Sequence, residues 1–402
     1  MSRATPLAGR DVVIVRGART PFGSFGGALR DVSAVDLGVV AARGALERST
    51  VPAEAVDHVI FGNVIQQSGG DAYLARHIAL KAGCPVDTPA LTVGRACGSG
   101  LQAIVSAAQH IVADDGDIIL AGGTESMSGQ PHIIRGARWG LKFRAGELED
   151  NLWLALTDGY CDMPMAATAE KIARRFDIDR KEQDHFAYRS HIMAAAAQRA
   201  GLFAEEIVPV TVKTRGKSVA VTVDEHIKGD TSVERLHLLP PAFDADGSVT
   251  AGNASGINDG AAAVVVTTAE RARKLAVAPL GRIVSWAATG VDPTLMGLGP
   301  VPASRRALER AGLTMDDIDL VEINEAFAAQ YLAVERELGL LRDKTNVNGG
   351  AIALGHPVGA SGGRLTITLL HELRRRRARY GLAALCIGGG QGIAMIVEAL
   401  HG

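Results

Sequence analysis

Short, almost wholly apolar runs alternate along this chain with stretches whose apolar residues recur at helical spacing. Val12–Val15, Val59-Ile60-Phe61, Ile118-Ile119-Leu120 and Val264-Val265-Val266 have no polar alternation and predict strands buried on both faces. Ile393 to Val397 reads as a further strand. Ala34 to Leu46, Leu101 to Val112 and Ala303 to Arg310 read as amphipathic helices, and a longer helical signal runs from Asp179 to Gly201. Strands alternating with helices predict an α/β fold.

Part of this pattern is used twice. Ala45-Leu46-Glu47-Arg48 leads through a turn to Asp57-His58-Val59-Ile60-Phe61-Gly62-Asn63. Ala307-Leu308-Glu309-Arg310 leads in the same way to Ile318-Asp319-Leu320-Val321-Glu322-Ile323-Asn324. A second pair runs small-residue turn, helix, strand, glycine turn. It joins Gly98-Ser99-Gly100 to Ile119-Leu120-Ala121-Gly122-Gly123, and Gly359-Ala360-Ser361-Gly362 to Leu385-Cys386-Ile387-Gly388-Gly389. Both pairs occur in one order at similar separation, which indicates an internal duplication. The expected organisation is an N-terminal half, 1–125, completed by about 252–278, and a C-terminal half, 279–402. Between them, 126–251 is more charged and reads as an inserted loop domain covering a site between the halves.

Composition narrows the class. Apolar residues make up 47% of the 402, aromatics only 4%, and glycines number 47, so small and aliphatic side chains must fill the core. A formal net charge of −2 argues against a nucleic-acid partner. The run Arg374-Arg375-Arg376-Arg377 follows the apolar Leu365 to Leu370 and reads as a cationic helix end, with anion binding the alternative. No apolar run approaches ~20 residues, so no membrane span is expected. Met1 to Arg10 lacks the apolar core of a secretory leader, which predicts a cytoplasmic protein. Cys84, Cys97, Cys161 and Cys386 lack metal-type spacing and are expected as free thiols, with no metal site.

Four segments carry candidate chemistry. Arg95-Ala96-Cys97-Gly98-Ser99-Gly100 sets a cysteine just before a helix, whose free N–H groups and dipole would lower a thiol pKa and hold an oxyanion; an inert buried cysteine is the alternative. Asn348 to Pro357 places His356 between glycine and proline on a stiff backbone, though most of the 11 histidines must be inert. Cys386-Ile387-Gly388-Gly389-Gly390-Gln391-Gly392 follows a strand and lacks the Lys-Ser/Thr of a nucleotide loop, which favours acid–base work by Cys386 over phosphate cradling. In Glu322-Ile323-Asn324-Glu325-Ala326-Phe327, Asn324 is placed to orient a water or a histidine, and Glu325 to serve a helix start.

These segments resemble the thiolase family. The matching blocks are Val93 to Gly100, Asn324 to Phe327, Gly355-His356-Pro357, Cys386 to Gly392, Gly252 to Gly260 and Met296 to Pro300. They span most of the chain in the family's order. Leu148 to Trp153, Leu156-Thr157-Asp158 and Pro164 to Glu170 are similar to the mitochondrial-type 3-ketoacyl-CoA thiolase branch; biosynthetic relatives typically carry histidine where this chain has Pro164. Gly94 and Lys171 stand where the family usually or often has asparagine.

The resemblance implies an α/β thiolase-like fold: two pseudo-repeated βαβαβαββ halves packed as an α/β/α/β/α core, plus the inserted domain. It implies thiolysis of 3-ketoacyl-CoA with coenzyme A as a substrate and no permanently bound cofactor. Cys97 would be the nucleophile, His356 its base, Asn324 the holder of an oxyanion water and Cys386 the proton donor to C2. The N–H groups of Cys97 and Gly388 would form a second oxyanion site. Ser255 would contact the pantetheine and Lys228 the CoA phosphates. Leu156, Met165, Phe243, Met296 and Phe327 would line the pocket, with ordinary core packing the alternative for each. A homodimer or homotetramer is expected. The rival readings are a biosynthetic acetyl-CoA C-acetyltransferase, a β-ketoacyl synthase and a non-catalytic acyl-CoA-binding protein.

Overall fold

The computed structural model describes residues 10–143, 146–214 and 216–401. The reading of Met1 to Arg10 therefore lies, except for Arg10, outside the described residues. The first half runs β1 (Val12–Arg19), α1 (Ala34–Ser49), β2 (His58–Gly62), α2 (Leu74–Ala82), β3 (Ala90–Val93), α3 (Ser99–Val112) and β4 (Ile118–Ser126). The segment that follows carries α4 (Met165–Arg175), α5 (Arg180–Arg199) and the antiparallel pair β5 (Val210–Thr214) and β6 (Lys217–Val221). The chain then returns through β7 (Asn258–Thr268) to pair with β4 and β1.

The second half repeats the first. It runs β8 (Gly281–Gly290), α6 (Pro300–Ala311), β9 (Leu320–Ile323), α7 (Ala328–Leu338), α8 (Ser361–Arg375), β10 (Tyr380–Ile387) and β11 (Gln391–Ala399). Strand order is β3-β2-β4-β7-β1 in one half and β9-β10-β11-β8 in the other. In the first, β2 lies parallel to β3 and β4, and the remaining pairs are antiparallel. In the second, β9 lies parallel to β10, and the remaining pairs are antiparallel. A parallel bridge from Val321 to Thr345 occupies the place of β3.

The apolar runs lack polar alternation because both faces of each sheet are covered. In β4, Ile119 and Ala121 face a core between the sheets, while Ile118 and Leu120 face a core under α1 and α2. In β10, Ala383 and Leu385 face the same central core, and Leu382 and Ala384 the core under α6 and α7. Helices α3 and α8 lie back to back in the central layer, and both contribute to that core. The order is helix, sheet, helices, sheet, helix. One detail departs from two separate sheets. Strands β1 and β8 pair through Val13 with Arg282 and Ile14 with Gly281, so the sheets join at one corner.

The N-terminal ends of α3 and α8 meet through glycines. A Cβ on Gly100 would stand 2.6 Å from the Gly359 carbonyl oxygen, and one on Gly362 2.7 Å from Leu101 Cβ. Side chains here would hold the helices apart. This contact brings the loops before the two helices, which carry Cys97 and His356, to one place.

Candidate active site

Cys97 ends a tight turn between β3 and α3. Ser99 Oγ accepts the Arg95 N–H at 2.8 Å and donates to the Ala96 carbonyl at 2.7 Å. Ala96 is held at φ 38°, left-handed backbone that costs a residue with a Cβ about 1–3 kcal/mol. Gly98 lies close against the other half, since a Cβ there would stand 2.6 Å from Ile387 Cδ1 and force that side chain to shift. Arg95 closes the turn, donating to Gln102 at 2.8 Å and to Gln391 of the second half at 3.1 Å.

The sulfur of Cys97 faces its own N–H and that of Gly388. Gly388 follows β10, and the chain turns away through Gly389 and Gly390 at φ 82° and 75°. The expected lowering of the thiol is reversed in the resting protein. Burial raises it and outweighs the two N–H groups, and the Glu125 charge adds to the rise. Cys97 thus rests as a thiol and needs a base.

His356 is buried and follows Gly355, whose φ of 101° and close approach to Asn258 leave no room for a side chain. Its Nδ1 lies 2.6 Å from Ser361 Oγ, which donates its own hydrogen to the Pro357 carbonyl at 3.0 Å. Ser361 can then only accept, so Nδ1 carries the ring proton and Nε2 the lone pair. Asn324 Nδ2 donates to that Nε2 at 3.3 Å. Burial, aided by the Arg364 charge, lowers the imidazole to about 3. It is a neutral ring with one oriented lone pair, ready to accept a proton.

Cys386 lies at the end of β10, 1% exposed and packed with Met296 and Ala326, while Met165 and Phe327 close over them. Burial raises its thiol strongly, and the neighbouring Cys97 raises it further, so Cys386 keeps its proton. Leu156 packs in the same cluster as Cys97, Ile65 and Val358. The structure thus brings together Cys97, His356, Asn324, Cys386 and Gly388 with Leu156, Met165, Met296 and Phe327. Ser255 stands beside them, its N–H on the Ala326 carbonyl at 2.9 Å.

Two residues named from the sequence lie on the surface. Lys228 is exposed, with its backbone N–H on His191 Nδ1 at 3.2 Å. Phe243 stacks on Trp153 with ring centroids 6.4 Å apart. Glu325 does serve a helix start, though not that of α7, which follows it: it accepts the Ile352 N–H at 3.2 Å in the first turn of the short helix Ala351–Leu354. It is buried, accepting from Ser190 at 2.6 Å and Asn346 at 2.8 Å, and it ties α5 to the second half. Gly94 has open space, with nothing closer than 4.0 Å to a Cβ, so the usual asparagine would fit. Lys171 points to solvent and bonds Thr294. Ser361 and Asn258, whose Oδ1 accepts the His356 N–H at 3.0 Å, went unnamed in the sequence reading although both lie inside motifs that it quoted.

Models of the thiolase N-terminal and C-terminal domains match residues 12–270 and 277–399. The mitochondrial 3-ketoacyl-CoA thiolase of Homo sapiens is 51% identical over 97% of this chain and 98% of its own. An acetyl-CoA acetyltransferase of Syntrophomonas wolfei is also 51% identical, over 97% of this chain and all of its own. The crystal structure of the human mitochondrial enzyme in complex with CoA superposes with a TM-score of 0.95 at 50% identity, covering 98% of each chain.

Proposed function

The chain belongs to the thiolase family, and on that premise we propose that it is a 3-ketoacyl-CoA thiolase (acetyl-CoA C-acyltransferase) of fatty-acid β-oxidation. The observation that carries this reading is the pairing of a base with a buried acid across one nucleophile. Neutral His356 presents Nε2, and Cys386 keeps its proton beside Cys97. His356 takes the Cys97 proton, and Sγ attacks C3 of the 3-ketoacyl-CoA. The C3 oxyanion rests on His356 and on a water held by Asn324, whose Oδ1 has no hydrogen-bond partner among the described residues. The C2–C3 bond then breaks, and Cys386 gives its proton to C2, releasing acetyl-CoA. Free CoA loses its thiol proton to Cys386 and attacks the acyl-Cys97 thioester. The second oxyanion is held by the N–H groups of Cys97 and Gly388. The shortened acyl-CoA leaves, and Cys97 recovers its proton from His356.

Coenzyme A enters as a substrate. Ser255 serves its pantetheine and Lys228 its phosphates, while Phe243 belongs to the rim of the pocket. Pro164 in place of a histidine favours the degradative reading over the acetyl-CoA C-acetyltransferase alternative. The test is thiolysis kcat/KM on acetoacetyl-CoA and on a long-chain 3-ketoacyl-CoA; reaction with the four-carbon substrate alone would give the assignment to the biosynthetic alternative. The division into halves 1–125 (completed by 252–278) and 279–402 around the insertion 126–251 is part of the same reading.

Trp139, Phe143 and Leu148 of that insertion are exposed apolar side chains, which supports a homodimer or homotetramer. Light scattering giving the mass of one chain at micromolar concentration would refute it. No helix among the described residues is long and apolar enough to cross a membrane. A cytoplasmic setting is tested by fractionating the native host.

A further inference from the structure

Glu125 lies near the end of β4 with no exposed surface and, among the described residues, no cationic partner. Its two oxygens accept four hydrogen bonds. Oε1 takes Asn63 Nδ2 and the Ile65 N–H, both at 3.1 Å; Oε2 takes the N–H groups of Val64 and Gly359, both at 3.0 Å. Val64 and Ile65 belong to the first half and pack in one cluster with Cys97 and Val358. Gly359 belongs to the second half, three residues after His356 and two before the Ser361 that fixes Nδ1. A Cβ on Gly359 would lie 2.8 Å from Oε2 and 2.5 Å from the Thr124 carbonyl, so this approach requires glycine.

We infer that Glu125 is a positioning residue: its ionised carboxylate clasps the backbone beside the nucleophile and the backbone beside the base, and sets their separation. Glu125 hydrogen-bonds to neither Cys97 nor His356 and acts through the segments that carry them. All four partners are donors, so a proton on either oxygen would face an N–H and find no acceptor. Burial pushes this carboxyl up to about 8, and the N–H groups of Ile65, Val64 and Gly359 oppose the rise. The hydrogen-bond geometry decides for the ionised form. The titratable groups facing it are Asp71, from the turn before α2, and Cys97. The same charge adds to the burial that keeps the proton on Cys97 until His356 removes it.

This inference rests on Cys97 being the nucleophile, which is checked separately: labelling Cys97 in the unaltered protein must abolish thiolysis in proportion. The test compares Glu125→Gln and Glu125→Asp by thiolysis and by the pH dependence of Cys97 alkylation with iodoacetamide, followed on the Cys97 peptide by mass spectrometry. Gln keeps the shape but turns an N–H donor towards N–H donors. Its alkylation midpoint should fall, with more thiolate at neutral pH, while kcat drops ~10–100-fold with KM little changed. Asp keeps the charge with a shorter reach. Its midpoint should stay within a few tenths of a unit while kcat drops at least about tenfold. A fall in kcat and in melting temperature with no shift of the Gln midpoint would reduce Glu125 to a structural residue and overturn the inference. Unchanged kcat in both variants would also overturn it. If the Gln variant does not fold, unchanged kcat in the Asp variant does so alone.

Discussion

Nε2 of His356 receives an N–H from Asn324 at 3.3 Å, and Nδ1 is fixed by Ser361 at 2.6 Å, so one imidazole is oriented from both sides. Asn324→Ala removes an amide from the proposed C3 oxyanion site. It should lower thiolysis kcat ~100–1,000-fold with little change in KM, measured under steady-state conditions. The ring also fixes a pH dependence. A free imidazole titrates near ~6.5, but burial brings His356 down to about 3, so it stays neutral throughout the mildly acidic range. The kcat/KM profile should therefore show no acid limb near pH ~6.5. It should stay level through the neutral range, because His356 takes the Cys97 proton within the site while burial keeps both thiols protonated at rest. A limb at ~6.5 would place the imidazole in water. Cys97→Ala should abolish turnover while CoA-ester binding, followed by calorimetry, persists. Cys97, His356 and Cys386 stood out in the sequence as candidates because each lies in or beside a glycine-dense loop, and the structure brings those loops together. Ser361 and Asn258 did not stand out. One acts five residues along from the ring it holds, and the other reaches a backbone N–H from the opposite half.

Among the elements, α3 and α8 decide whether the two loops meet. Their contact depends on Gly100 lying against the Gly359 carbonyl. Gly100→Ala should cost about 1–3 kcal/mol of stability by overpacking, read from urea unfolding, and lower kcat through separation of the loops. The sequence placed the first helix at Leu101, while the structure starts it at Ser99. Glycine has poor helical propensity, and only a neighbouring helix explains why it is needed there. The inserted segment is anchored by Arg19 at the end of β1. Arg19 is fully buried between Glu206 at 2.9 Å and Asp224 at 2.7 Å, and lies over Phe22 and Phe203. Arg19→Met would leave two carboxylates buried and unpaired. It should destabilise by about 3–5 kcal/mol, measured by urea unfolding. No motif announces this network, because its partners lie 187 and 205 residues away along the chain.

At the scale of the whole molecule, the repeated segments foretell the repeated order of strands and helices that the structure shows. Repetition survives in the order of apolar runs and glycine turns, and those also determine the strand order. The corner where β1 meets β8 stayed hidden, since edge pairing leaves no mark on a strand already buried on both faces. The back-to-back helices α3 and α8 have a consequence for motion. They lie under two sheets and two outer helical layers, and each carries at its N-terminal end one loop of the candidate site. Amide protons there can exchange with solvent only when the whole domain opens, whereas those of the insertion can exchange through local fluctuations. In deuterated water, Leu101 to Ala108 and Leu365 to Leu370 should be the last to exchange, and the exposed stretch from Ile134 to Phe143 among the first. The proposed reacting groups would then be anchored in the slowest part of the molecule, beside an insertion that exchanges among the fastest.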